Sequence, residues 1–410
     1  MNDARTRVIG DGGASSGKSS ARAATERQTR LAILANGRSY HVQKWAAALV
    51  EQGLAVTLIS FHAPPDPLDG VVIRSLEPAF SRLRGKVSLI DFRTCAAQLQ
   101  RVLREAQTDV LLASYATSYG WMAAASGFHP TILQTWTYDV SVYPVSSWKR
   151  LILAPVVRRA LRHADVITTD GEPLGEFIQN HYGIPPAEIV PLLWGIRVAD
   201  FIADDDSRRH ARESIGAGED AAVILSHRGV LDWYRPDCVL DALLRYLSAD
   251  DSAHALVLTL EHERSGNVQD RLDLLATHPR GHVFDRFLER SEMRRLWAAA
   301  DVSISIPPHD GISVSALEGM AAGVVPVVSN IGSNRSLFDG DRARYVTDPA
   351  TELFQALSEV VTNLPTWRDR VVEPNRRWVQ RHGSVDQAAR KLAAIVRNLA
   401  GIRETVDPSV

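Results

Sequence analysis

Leu31-Ala32-Ile33-Leu34-Ala35 form an unbroken apolar run that Asn36-Gly37-Arg38-Ser39 closes. From residue 42 to 52 the apolar positions switch to helical spacing, with Trp45, Ala46, Leu49 and Val50 on one face. Gly53 is a stop for that helix, and residues 55–60 form a second apolar run. Buried strand, loop, amphipathic helix and buried strand make the opening unit of a parallel α/β sheet. The alternation continues with a helix over 91–106, strands at 110–113 and 131–134, a helix over 149–164 and a strand at 166–169.

After Pro191-Leu192-Leu193-Trp194-Gly195-Ile196 the pattern stalls in a polar, acidic stretch that contains Asp204-Asp205-Asp206, and an inter-domain linker is expected near 195–220. Alternation then restarts: strand 222–226, helix 237–247, strands 255–260 and 282–284, helix 291–300, strand 302–306, helix from about Ser313 to 322, strand 325–328. A helical apolar stripe, Ala389, Leu392, Ala393, Ile395, Val396 and Leu399, lies near the C-terminus. The expected divisions are a tail at 1–29, one α/β half at 30–195, a second at 196–385, and a last helix and tail at 386–410. Two such halves leave their largest cleft between them, and ligands of these sheets bind outside the carboxyl ends of the strands.

Residues 1–29 are rich in Gly, Ser, Ala, Arg and Thr and carry too little apolar surface to offset ordering entropy, so a disordered tail is expected. Gly12 to Ser19 in that tail fits the phosphate-loop pattern G-x4-G-K-S, but neither a buried strand before it nor an amphipathic helix after it is present, so it is not read as a nucleotide site. Lys and Arg number 46 and Asp and Glu 48, a balance that removes the electrostatic signature of a nucleic-acid binder. Two distant cysteines, Cys95 and Cys238, provide neither a disulfide framework nor a zinc site. No apolar run reaches the ~18 residues of a spanning helix, and the N-terminus lacks the core of a signal peptide. A cytoplasmic protein is therefore expected.

The richest stretch for chemistry is residues 301–335. A strand runs into Pro307-Pro308-His309-Asp310-Gly311, a helix begins near Ser313, and Gly323 precedes the next strand. The free N–H groups and dipole of a helix start bind a diphosphate, and a glycine lets the backbone approach it. Glu318, nearly two turns on, can accept hydrogen bonds from vicinal hydroxyls. The same residues also suit a capped core helix, with Asp310 or Ser313 as cap and Ser315 and Glu318 solvated. Arg228, after the strand at 222–226, can grip a phosphate with both arms. A metal is not required where helix termini and Arg228 neutralise the phosphates, and Asp204-Asp205-Asp206 reads as solvated charge rather than a DxD metal motif. Among histidines near loops (His41, His129, His227, His309), His309 adjoins Asp310; Trp136, Trp148 and Trp233 are candidates to line a cleft.

Asp310-x7-Glu318, followed by Gly319-Met320-Ala321-Ala322-Gly323, resembles the E-x7-E donor motif of retaining glycosyltransferases of family 4, with Asp for the first Glu. Asn36-Gly37-Arg38-Ser39-Tyr40-His41 is similar to the first loop of that family's N-terminal domain. Gln134-Thr135-Trp136-Thr137-Tyr138-Asp139 is similar to its Trp-Gly-Ser-Asp element on the acceptor side, and Val190 to Ile196 to the strand entering its hinge. Ile224 to Gly229 resembles the strand and loop that supply an arginine to the diphosphate; the family's following lysine is absent, so either Arg235 or Tyr234 substitutes or the contact is missing. The resemblance covers about residues 31–395. It implies a GT-B fold of two Rossmann-like domains, the N-terminal one for the acceptor and the C-terminal one for the donor, with a last helix crossing back. It further implies transfer with retention from a nucleotide-diphosphate sugar, used as co-substrate with no cofactor, to a glycan, lipid-linked or small-molecule acceptor, with peripheral membrane contact left open.

The implied catalytic groups are Asp310, Arg228 and Glu318. The implied donor-binding set is Gly37, Arg228, Arg235, Asp310, Gly311, Ile312, Ser313, Val314 and Glu318, and the acceptor-side set is His41, Trp136 and Asp139. A nucleotide-sugar epimerase and a non-catalytic sugar-nucleotide-binding partner remain as alternatives. The sugar-transfer reading requires Arg228 and the Gly311 amide to meet in one cavity.

Overall fold

The strands expected from unbroken apolar runs all form, and in the computed structural model every strand pairing among the described residues is parallel. The structure describes residues 28–78, 89–141, 147–260 and 264–401. The phosphate-loop-like run and most of the expected tail lie outside these residues. Thr29 is buried, so ordered packing begins just before Arg30.

The first half carries β1 (Arg30–Leu34), β2 (Ala55–Ser60), β3 (Val71–Ser75), β4 (Val110–Ser114), β5 (Thr131–Gln134), β6 (Val166–Thr169) and β7 (Ile189–Pro191). They form one sheet in the order β3-β2-β1-β4-β5-β6-β7. The second half carries β8 (Val223–Ser226), β9 (His254–Leu258), β10 (Gly281–Phe284), β11 (Val302–Ser305), β12 (Val325–Ser329) and β13 (Arg344–Val346), in the order β10-β9-β8-β11-β12-β13. Both orders reverse beside the first strand of the half. That reversal opens a crevice at the carboxyl ends of β1 and β4 and, across the molecule, of β8 and β11.

The stretch expected to be a polar linker is structured. It holds a 3-10 turn at Val198–Phe201 and a helix at Asp205–Glu213, capped by the Asp204 carboxylate, which accepts from the Ser207 N–H at 2.7 Å. This helix has almost no apolar stripe, which is why the pattern missed it. Ionic contacts fix it instead: Arg208 and Arg212 reach the buried Asp301, with Arg212 Nη1 3.0 Å from Oδ2. Asp301 also accepts from the Val223 N–H at 2.8 Å, tying the helix to the first strand of its sheet. The helix expected over 91–106 is two, Leu89–Thr94 and Ala96–Glu105, broken at Cys95, where ψ is 0°.

The last helix, Val385–Leu399, crosses back to the first half. Val385, Ala389, Leu392, Ala393 and Val396 share one core with Leu31, Trp45 and Val56. The outgoing and returning chains run side by side there, with Ile196 N–H on Gly383 O at 2.7 Å and Val385 N–H on Ile196 O at 3.0 Å. Lys44 donates to the Gly195 carbonyl and Trp45 Nε1 to the Trp194 carbonyl at 2.9 Å, so the crossing is held from the first half. No helix of the described residues is long and apolar enough to cross a membrane.

Candidate active site

β8 delivers His227 and Arg228 into the crevice, and β11 delivers the loop that ends at Ser313. Ser313 stands at the cap of the helix Val314–Ala322 with extended backbone, yet its hydroxyl does not cap. It accepts instead from Arg228 Nη1 and lies 2.7 Å from Ser315 Oγ. Arg228 also reaches Ser315 Oγ and the Tyr234 hydroxyl, each at 3.2 Å, pairs with the Asp310 carboxylate, and lies 4.6 Å over the Tyr234 ring. The helix start is therefore free of side-chain capping and carries a guanidinium beside it. Glu318 is 5% exposed, against the solvated alternative, and accepts from Arg290 Nη1 at 2.8 Å and Trp297 Nε1 at 3.2 Å.

These groups line one cavity of about 470 Å³ between the halves. Arg228, Asp310, Gly311, Ile312, Ser313, Val314 and Glu318 border it from the second half, His41 and Trp136 from the first. Arg228 and Gly311 thus share the cavity that the reading requires. Arg228 Nε, Arg290 Nε and Trp136 Nε1 are buried around it without a hydrogen-bond partner. Buried donors without partners are costly, and an oxygen-rich anion is the ligand class that satisfies such a set.

Three expected residues do not border the cavity. Gly37 is packed behind it: a methyl group there would stand 2.6 Å from the His62 carbonyl, and its N–H is held by Ser60 Oγ at 2.9 Å. Arg235, with φ of 51°, forms the corner into the helix Pro236–Ala249, and its neighbour Tyr234 faces the cavity in its place. Asp139 is buried under the acceptor side, where it accepts from the Trp136 N–H at 2.8 Å and from the Ala116 N–H, so it positions Trp136 instead of meeting a ligand. Trp136 stacks on Tyr115 at 5.3 Å and 9°. His227 borders the cavity, whereas His129 pairs with Asp165 at an exposed site away from it. Trp233 packs on Tyr138, and the side chain of Trp148 lies outside the described residues.

Sequence reasoning missed Asp170, Tyr40 and Arg290. Arg290 lies 4.3 Å over the Tyr40 ring, so the donor-side Glu318 is buttressed from the first half. Asp170 follows β6 and is 6% exposed; its Oδ2 lies so close to Gly311 that a methyl group on Gly311 would stand 1.7 Å from it. Burial lowers His41 to about 3, assisted by Lys44 and Arg290, so the ring is neutral. Burial lowers Lys44 to about 8, with Glu318 opposing.

Residues 30–171 match the family described as glycosyl transferase 4-like, and residues 229–363 match glycosyl transferases group 1. The chain belongs to the family 4-type glycosyltransferases. The chain is 24% identical over 329 residues to a D-inositol 3-phosphate glycosyltransferase of Geodermatophilus obscurus, covering 74% of this chain and 72% of that one. Among solved structures, a sucrose-phosphate synthase from Thermosynechococcus elongatus superposes with a TM-score of 0.75 at 14% identity, over 92% of this chain and all (100%) of the other. The Anabaena protein HepE in complex with UDP-glucose gives 0.71 at 14% identity, over 91% and 100%. The fold of this glycosyltransferase is therefore GT-B.

Two buried carboxyls of the first half make its stability pH-dependent. Burial raises Asp139 to about 7, with backbone N–H groups opposing, and raises Asp170 to about 8, with the Asp310 charge adding to burial. Folded pKa values above the unfolded one mean that the native glycosyltransferase holds protons the unfolded chain has lost, so stability falls as pH rises from about 4 to about 8. Asp170→Asn is expected to remove part of that fall. Its thermal midpoint should exceed the parent's at pH 8 by roughly 2–4 °C per kcal/mol recovered, with little difference at pH 4. Equal midpoint differences at both pH values would show that Asp170 does not titrate in this way.

Proposed function

We propose that this glycosyltransferase moves a sugar, with retention of anomeric configuration, from a nucleoside-diphosphate sugar to an acceptor hydroxyl. The observation that carries the reading is the meeting of Arg228 and the uncapped helix start at Ser313 in one cavity between the halves. As the glycosidic bond breaks, negative charge grows on the leaving diphosphate. A fixed guanidinium and helix-start amides stabilise it without reorganising. Arg228 is paired with Asp310, so an incoming diphosphate exchanges one anion for another on the same cation and releases Asp310 toward the sugar. Glu318, fixed by Arg290 and Trp297, accepts from the ribose hydroxyls. Arg228 and the helix-start amides supply the neutralisation, so the proposed reaction runs without a metal cofactor. HepE, bound to UDP-glucose, supports a donor of this chemical class, though not its base or sugar.

A thermal-shift screen of nucleoside diphosphates tests donor binding, since a ligand selective for the folded state raises the midpoint by mass action. NMR of the product anomer tests retention, and EDTA should leave the rate unchanged. Inversion at the anomeric carbon would overturn the stereochemical part. Conversion of the nucleotide sugar with no acceptor present would favour an epimerase, and binding without diphosphate release a non-catalytic partner.

A further inference from the structure

Beyond Asp170 and Gly311 the crevice continues into a second chamber of about 480 Å³, which shares Thr137, Asp170, Asp310, Gly311 and Ile312 with the first. Leu174, Phe177 and Tyr182 of the helix Glu172–Tyr182 form one wall, and Ile312 and Ile331 the other. The hydroxyls of its first-half wall are already engaged, and the His181 ring on that wall stacks on Phe177 at 5.2 Å. The Tyr182 hydroxyl donates to Val140 O at 2.7 Å, Ser141 Oγ to Thr137 O at 2.6 Å, and Thr137 Oγ1 to Asp170 at 3.3 Å. Asp310 is paired with Arg228, and Ser333 Oγ on the far wall is unpartnered. Asp170, at the junction of the two chambers, accepts from Thr137 Oγ1 and from its own backbone N–H, and its carboxyl oxygens keep further lone pairs for a ligand.

We infer that this second chamber holds the acceptor, and that the acceptor is an alcohol carried on an apolar body, with its hydroxyl on Asp170 and its apolar part between Phe177 and Ile331. The inference rests on the transfer reading above and narrows its acceptor. A polyol placed here would exchange many water hydrogen bonds for few, at about 1–3 kcal/mol for each group left unpaired, whereas an apolar body gains by leaving water. The volume lies within the range of small-molecule sites. In the transfer step the acceptor oxygen bonds to the anomeric carbon as the bond to the diphosphate breaks, and the hydroxyl proton leaves with the diphosphate. Asp170 orients that hydroxyl at the boundary between the chambers.

The test uses the full chain with 2-naphthol and a monohydroxyflavone as apolar alcohols, and mannose and myo-inositol as polar ones, each with and without UDP. Phe177 is 36% exposed, so Phe177→Glu is compatible with folding; Ile331→Glu alters the opposite wall independently. Apolar alcohols should bind the parent, and each variant should weaken them at least tenfold with UDP affinity unchanged. Asp170→Asn should lower kcat with an apolar alcohol by about a hundredfold, change KM little, and remove the inflection near pH 8 from the rate profile, whereas a merely structural role would leave that inflection in place. Binding of mannose or inositol in preference to the apolar alcohols, or apolar binding indifferent to both wall variants, overturns the inference. Failure of every nucleoside diphosphate to bind would defeat the transfer reading instead, and the naphthol arm would still decide what the chamber takes.

Discussion

Arg228→Ala is expected to lower turnover of a nucleotide sugar by about 10²–10³-fold, the loss found when a preorganised donor to a developing anion is deleted. The guanidinium has no substitute in its place, since the family's following lysine is absent and Arg235 turns away to form a corner. Lysine should restore only part of the rate, because Arg228 acts as a fork, Nη1 on the two serines and Nη2 on Tyr234 and Asp310, which an ammonium cannot reproduce. The stability effect is separable by pH. Removing Arg228 strands Asp310, whose carboxyl burial already pushes upward while the guanidinium opposes it. Without the guanidinium Asp310 takes up a proton more readily, so the alanine variant should lose more thermal stability at pH 8 than at pH 5. Steady-state kinetics with the donor and thermal melts at both pH values check this. Unchanged kcat/KM, with the melt alone affected, would reduce Arg228 to a structural ion pair.

The strands buried on both faces, β1, β4 and β8 among them, were legible because apolar runs report burial directly. The exposed edge strand β3 was not, since its residues alternate between partial and full exposure and carry no distinct pattern. The helix after Asp204 was missed for a different reason: it is anchored by arginines to Asp301, an interaction between distant residues that leaves no periodicity. The site divides the same way. Asp310 to Glu318 could be read because strand, loop and helix are consecutive. Asp170 reads in isolation as an ordinary acid before a helix, and it becomes part of the site only when the other half presents Gly311 to it. Arg290 likewise acquires meaning from Glu318 and Tyr40, both remote in sequence. Gly37 entered the expected site through the resemblance of its loop to the family's, and the structure adds that the His62 carbonyl behind it leaves no room for a side chain there.

Gly311→Ala should therefore cost activity for a steric reason that the local motif does not contain. Its backbone is not in the left-handed region, so alanine meets no conformational objection. The added methyl would instead stand 1.7 Å from Asp170 Oδ2 and 2.5 Å from Thr137 Oγ1, both on the opposite half. Relief requires the halves to separate by about an ångström or the loop to withdraw from the helix start. A misplacement of that size at a reacting centre costs about 10²-fold. The expected result is a fall in kcat of that order, with donor affinity less affected than in Arg228→Ala, because the guanidinium stays in place. Combining Gly311→Ala with Asp170→Gly separates steric from local causes. If the closer clash, with Asp170, is the dominant cause and the Thr137 hydroxyl can rotate aside, the double variant should bind UDP as tightly as Asp170→Gly alone, and its coupling energy should differ from zero. Strict additivity of the two substitutions would mean that Gly311 serves only the loop that carries it, and that the halves do not meet there during turnover.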